Sequence, residues 1–200
     1  MWATDLRDCR EAGERIVSVQ LKRWTRAEYE AIVAQGILAP ESHVQLLDGE
    51  IIQMTPQGAL HRTAVTLVAE AVRAILPPGY HVQVQAPLAI SDDGEPEPDV
   101  AVIQGAIRDF ATRHPTTALL VVEVADTSLA LDRGRKKAAY ARARIPEYWI
   151  LNLPDRSLEV HRDPEPGTGT YRAQKTLHPP DEISPVSFPT ARILMSALLP

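Results

Sequence analysis

The sequence predicts an α/β (α+β) fold with a mixed central β-sheet flanked by helices. Three observations carry that expectation. Two segments with helical apolar spacing, 59–76 and about 132–143, lie on either side of short, uniformly apolar and β-branched runs at 99–103 and 118–124. An Asp-Gly dipeptide at 48–49 separates two further short apolar runs, and another pair of strand-like segments follows the second helix. The order helix, hairpin, helix, strands, helix, strands is that of helices packed on a sheet.

The elements follow in chain order. In "TRAEYEAIVAQG", Thr25 and Glu28 have capping-box spacing and Gly36 marks the stop, so a helix is expected there. "HVQLLDGEIIQM" reads as a hairpin turning at Asp48-Gly49. "ALHRTAVTLVAEAVRAIL" repeats Val65, Val68, Val72 and Ile75 at intervals of three and four, and Pro77-Pro78 ends it. "YHVQVQAPLAI" alternates like a half-buried strand, whereas "DVAVI" and "ALLVVEV" read as strands covered on both faces. A helix is expected from about Asp132 to Ala143, stopped by Ile145-Pro146. "EYWILNL" and "SLEVHRD" form a strand pair across Pro154-Asp155-Arg156, "EPGTGT" is a loop, and a last strand runs near Tyr171 to Thr176. A single domain is expected over 1–200: an N-terminal extension to 23, a core over 24–162, and C-terminal strands with a short helix over 163–200.

Composition narrows the class. The chain has 200 residues, 44 % hydrophobic and 24 % charged, which argues against disorder and fibrous structure and permits a core burying roughly 70 % of the unfolded surface. The single cysteine, Cys9, cannot make an internal disulfide, and no apolar stretch reaches the roughly 18 residues of a membrane span. A soluble, cytoplasmic protein with no membrane partner is expected. Net charge is −5, yet residues 133–144, "RGRKKAAYARAR", hold six Lys or Arg and no acid; removing those six positive charges leaves −11 for the rest.

One residue is out of place. Glu123 interrupts the apolar run "LLVVEVADTS", and burying an unpaired carboxylate costs several kcal/mol, so it must be protonated, paired, at an exposed strand end, or bound to a cation. Asp99, after Pro98, opens another buried-type strand in the same way. Two acids at one end of adjacent strands would suit a hard divalent cation such as Mg²⁺. Glu50, just past the hairpin turn, either completes that shell or is a solvated hairpin residue. Lys136 and Tyr140 share a helix face, and Lys136 follows the acid-bearing strand closely enough to reach back to Glu123. At 100° per residue, Arg133, Lys137 and Arg144 fall within roughly 100° of Lys136; the plain reading of these three is a solvated positive face. His61 near the start of the long helix is more often a surface or capped histidine than a catalytic one. Phosphate-binding glycine loops, a nucleophile elbow, an HExxH zinc motif and a catalytic cysteine are all missing.

The stretches "PEPDVAVI", "LVVEVADTS", "DRGRKKAAYA" and "IPEYWIL", with "LLDGEII" and His61 upstream, together resemble the PD-(D/E)XK nuclease superfamily and, more narrowly, the Uma-two family of putative restriction endonucleases, over about residues 24–162. The resemblance implies a restriction-endonuclease-like core and Mg²⁺, with Mn²⁺ able to substitute, held by Asp99, Glu123 and the backbone carbonyl of Val124. It implies hydrolysis of DNA phosphodiester bonds, with Glu50 and His61 around the pocket. The lysine that the superfamily places two residues after the acid is Ala125 here, and the resemblance moves its role to Lys136. Arg144 stands where the family commonly has the glycine that closes this helix in left-handed geometry. Tyr140 with Glu50 would support the site, and Arg133, Lys137 and Arg144 would meet the DNA backbone. Because a chain of charge −5 steers poorly toward DNA, a homodimer or higher homo-oligomer gathering two basic helices is expected.

Overall fold

A computed structural model describes residues 20–38 and 42–200. Cys9 and most of the expected N-terminal extension lie outside the described residues. Helix α1 (Arg26–Ala34) carries the capping box in full: the Thr25 hydroxyl accepts from Glu28 N–H, and the Glu28 carboxylate accepts from Thr25 N–H. Strands β1 (Val44–Leu47) and β2 (Glu50–Gln53) form the hairpin, with Asp48 and Gly49 at φ 52° and 71°, the two positive angles a tight primed turn requires. Helix α2 (Ala59–Ala74) turns His61, Ala64, Val65, Val68, Ala69 and Val72 inward.

A six-stranded mixed sheet in the order β3-β4-β5-β6-β7-β8 forms the centre. It comprises β3 (Tyr80–Val84), β4 (Val100–Gln104), β5 (Leu120–Ala125), β6 (Glu147–Asn152), β7 (Ser157–Glu165) and β8 (Thr170–Leu177). Every neighbouring pair is antiparallel except β5 and β6, whose parallel pairing requires a crossover. That crossover is a continuous helical segment: α3 (Leu129–Leu131), a π-helical turn (Asp132–Lys136) and α4 (Lys137–Arg142). The helix thus begins about three residues earlier than its spacing predicts and carries a wider turn in its middle. Arg144 ends it at φ 60°, the left-handed position that glycine would occupy more cheaply.

The two sheet faces bury different partners. Val100, Val102, Leu120, Val122, Val124 and Trp149 pack against α2 and against the C-terminal residues Ile193, Met195 and Leu198. Ala101, Val121, Tyr148 and Ile150 pack against Tyr140 and Ile145 of the crossover. After the sheet, β9 (Glu182–Ile183) pairs with β10 (Ile193–Leu194), and a 3₁₀ turn (Met195–Ala197) follows.

The expected strand 80–90 is only half a strand. Ladder pairing stops at Val84, Gln85 takes φ 48°, and the chain beyond faces Pro96 and Pro98, which have no N–H to donate. Its own amides bond instead to prolyl carbonyls, Gln85 N–H to Pro98 O at 3.1 Å and Leu88 N–H to Pro96 O at 2.9 Å. Among the described residues no helix is long and apolar enough to cross a membrane.

Candidate active site

Sheet register brings the two singled-out acids together. Val100 pairs with Val122 across β4 and β5, so Asp99 stands next in line opposite Glu123, on the face that carries Ala101 and Val121. Asp99 is 6 % exposed and Glu123 2 % exposed, and both line one pocket of about 520 Å³ with His61, Gln85, Glu97 and Lys136.

Glu123 is held from the crossover helix. Lys136 Nζ lies 2.9 Å from its Oε2, and the Tyr140 hydroxyl donates to its Oε1 at 2.7 Å. These partners stand four residues apart on one helical face, as the sequence predicts. The π-helical turn that delivers Lys136 also buries Asp132, whose Oδ1 lies 3.8 Å from the same ammonium and whose Oδ2 accepts from the Ser128 hydroxyl. Burial pushes the Glu123 carboxyl up to about 8, with Lys136 opposing the shift and the Asp132 and Asp99 charges adding to it. Burial works against the Lys136 ammonium as well, but Glu123, Asp132 and Asp99 outweigh it and hold the lysine above its ordinary value. Lys136 is therefore a fixed positive charge inside an acidic shell.

Asp99 is held from three sides. Its Oδ2 accepts from Val124 N–H at 2.8 Å, its Oδ1 accepts from Gln85 Nε2 at 3.0 Å, and His61 Nε2 lies 3.3 Å from Oδ2. Burial alone would raise the Asp99 carboxyl; His61, Lys136 and the Val124 N–H together bring it below the usual value. His61 moves the other way: burial lowers it, while Asp99, the Val124 carbonyl and the Glu123 charge raise it above its ordinary value. Its other ring nitrogen, Nδ1, is buried without a hydrogen-bond partner. A histidine on the inner face of α2 thus presents its one partnered nitrogen to the Asp99 carboxylate and the Val124 carbonyl.

Other expected site residues lie elsewhere. Glu50 is not among the pocket residues; it faces outward, ion-paired with Arg23 and with Arg135 Nη1 at 2.8 Å, which hold its carboxyl below the usual value. Arg133 and Lys137 point away from Lys136, into a separate cleft of about 380 Å³ over β7 and β8, where Arg133 Nε donates to Glu159 at 2.9 Å. Lys137, one residue on, stands about 100° from Lys136 in any case, and the wider π-turn carries Arg133 further round from it. Arg144 is exposed beyond the helix end and lines neither cavity.

Sequence reasoning missed Gln85, Glu97 and Asp132. Glu97 sits two residues before Asp99 in the Pro-rich approach to β4, and burial raises its carboxyl against the pull of His43 and Lys136. The spacing Glu97-x-Asp99 was available as a signal, since alternate residues of an extended segment share a side. Asp132 and Gln85 carried no such signal, because each marks a change of backbone path rather than a pattern.

The donor set fits a hard divalent cation. Two buried carboxylates line one pocket, and beside Asp99 the Val124 carbonyl and the His61 ring, whose Nε2 is 3.3 Å from Asp99 Oδ2, add a further oxygen and a nitrogen.

The sheet with its helices has a counterpart of known structure. It matches the crystal structure of a putative nuclease belonging to DUF820 from Anabaena variabilis with a TM-score of 0.67 at 16 % identity, covering 87 % of this chain and 96 % of that one. The chain belongs to the Uma2 family, described as "Putative restriction endonuclease", whose model matches residues 26–196. No curated protein matches the chain.

Proposed function

We propose that this protein is a Mg²⁺-dependent endonuclease, with Mn²⁺ able to substitute, that hydrolyses phosphodiester bonds of DNA. The observation that carries the proposal is the placement of Asp99 and Glu123 opposite one another on one sheet face, with the Lys136 ammonium 2.9 Å from Glu123. Asp99, Glu123 and the Val124 carbonyl would hold the ion. When bound, the ion supplies Lewis acidity toward a phosphoryl oxygen and lowers the pKa of water.

The protein's own groups do the rest. Gln85 and the Val124 N–H orient Asp99 so that it presents a fixed charge. Tyr140 donates to Glu123 and sets the carboxylate plane. Lys136, buried and charged, stands ready to stabilise negative charge that develops on a phosphate in the transition state. His61 holds its ring nitrogen 3.3 Å from Asp99 Oδ2 and helps fix that carboxylate. Lys137 and Arg144, which form no ion pair among the described residues, are the helix cations available to a DNA backbone. A cytoplasmic homodimer presenting two such helices to one duplex would supply the steering that a chain of charge −5 lacks.

Nicking of supercoiled plasmid in Mg²⁺ tests the proposal: the wild-type protein should cut, and Asp99→Asn and Glu123→Gln should each abolish cutting. Cutting that persists in both variants removes the assigned site.

A second reading is favoured by the pairing of the basic strip. Arg133, Arg135 and Arg142 are each engaged by an acid of this same chain, which suits a smaller phosphoester better than a duplex. Comparing DNA, RNA and a nucleotide as substrates separates the two, and binding of DNA without any cleavage would mark a nuclease fold that only binds.

A further inference from the structure

On the far side of the Pro-rich approach to β4, a second carboxylate is buried more deeply than Asp99. Glu95 is 3 % exposed; its Oε1 meets His114 Nδ1 at 2.7 Å, and its Oε2 is buried with no hydrogen-bond partner. Glu30, on α1, is the third member. One donor atom from each of Glu30, Glu95 and His114 lies within 4.8 Å of the other two, the one such group of His, Cys, Asp or Glu among the described residues. Burial holds the Glu95 carboxyl up, with His114 opposing the rise and the nearby Glu30 adding to it. That deep oxygen has no hydrogen-bond donor among the described residues, and the carboxyl beside it interacts with the Glu30 carboxylate.

Three separate segments deliver these side chains, and backbone bonds fix each one. Arg26 N–H donates to Asp92 O at 2.6 Å at the start of α1, Glu95 N–H donates to Leu46 O at 2.8 Å, and Ala89 N–H donates to Pro115 O at 2.8 Å beside His114. Glu30 and His114 are exposed, which leaves a path in from solvent. The competing charge is Arg26, 2.8 Å from Glu30 in an i,i+4 pair at the surface, where solvent screens it.

We propose that Glu30, Glu95 and His114 bind one divalent transition-metal ion, Zn²⁺ foremost, at a site separate from the Asp99–Glu123 pocket. Imidazole beside carboxylate suits Zn²⁺, Mn²⁺ or Co²⁺, whereas Mg²⁺ and Ca²⁺ prefer oxygen throughout. Three protein donors leave room for water at the fourth position. Bound there, the ion clamps α1 and the loop before β5 to the segment leading into β4, so its effect is on stability and is independent of the nuclease reading.

The test uses the full chain carrying Asp99→Asn and Glu123→Gln, which silences the pocket, and Zn²⁺ alone as titrant. One equivalent should bind and raise Tm. Adding His114→Gln or Glu30→Gln, both at exposed positions, should weaken binding at least tenfold and remove the rise in Tm, while circular dichroism stays unchanged. Co²⁺ should give a visible d–d spectrum that His114→Gln abolishes. Zinc retained at full affinity in both added variants, or no zinc bound by the pocket-silenced protein, overturns the proposal.

Discussion

The crossover helix treats its cations in two opposite ways. Toward the sheet, Lys136 has a side chain 3 % exposed, wrapped by Glu123 and Asp132. Toward solvent, Arg133, Arg135 and Arg142 have side chains 39–48 % exposed and pair with Glu159, Glu50 and Asp48. Buried charge fixes one geometry at a high desolvation cost; exposed pairs contribute little and are screened by salt. A strip of six positive residues in the sequence therefore contains one buried charge and three that pair with acids at the surface.

The largest effect should come from setting the two sides against each other. Lys136→Met should lower plasmid nicking by roughly 10²–10³-fold, whereas Lys137→Met should change it less than about threefold. Stability of Lys136→Met should fall by only about 1–3 kcal/mol, because the Glu123 carboxyl, already raised to about 8, can take a proton instead of standing charged and alone. Equal losses of nicking in the two variants would erase the distinction.

A pH effect comes next, from beneath the outer side. His161 is buried between Tyr148 and Tyr171, and burial, with Lys137 and Arg133 adding to it, lowers its pKa to about 4. Between about 4 and its ordinary 6.5 the unfolded chain binds the proton and the folded one does not. This stability is complete above 6.5 and is lost as pH falls toward 4, by about 2–3 kcal/mol. Urea midpoints at pH 7.5 and 4.5 should show that loss in the wild type and a flatter response in His161→Phe.

Smaller still, Arg144→Gly should raise stability by about 0.5–1 kcal/mol, since φ 60° strains any residue with a Cβ. A thermal melt checks it, and a decrease would mean that the arginine side chain contributes more than its backbone costs. Arg142→Ala should cost less than about 0.5 kcal/mol, a difference that vanishes in high salt if the pair with Asp48 is only a surface contact.

Legibility in the sequence followed the range of the interaction. Asp99 and Glu123 stood out because an acid in a β-branched run contradicts its neighbours, and strand alternation put them on one face. That signal alone is not diagnostic. Glu147 is an equally buried strand acid, yet it is wholly structural, accepting from Trp149 Nε1, Arg162 Nε and Val186 N–H. What separates the two is the lysine, and its spacing after the strand was readable, with the family resemblance supporting it. Glu50 was ambiguous because its partner Arg135 is 85 residues away. Arg133 looked available because Glu159 lies on a strand that no local pattern connects to it. The π-turn was invisible, since nothing in "DRGRK" disfavours an ordinary α-helix except one glycine.

That turn carries one amino acid more than a regular helix would need to cover the same rise. The widened turn absorbs that extra residue, so the helix on either side keeps its bearing while the positions within Asp132–Lys136 leave the regular α path. Lys136 closes that turn, so at this place chain length, as much as residue identity, sets where the ammonium stands against Glu123.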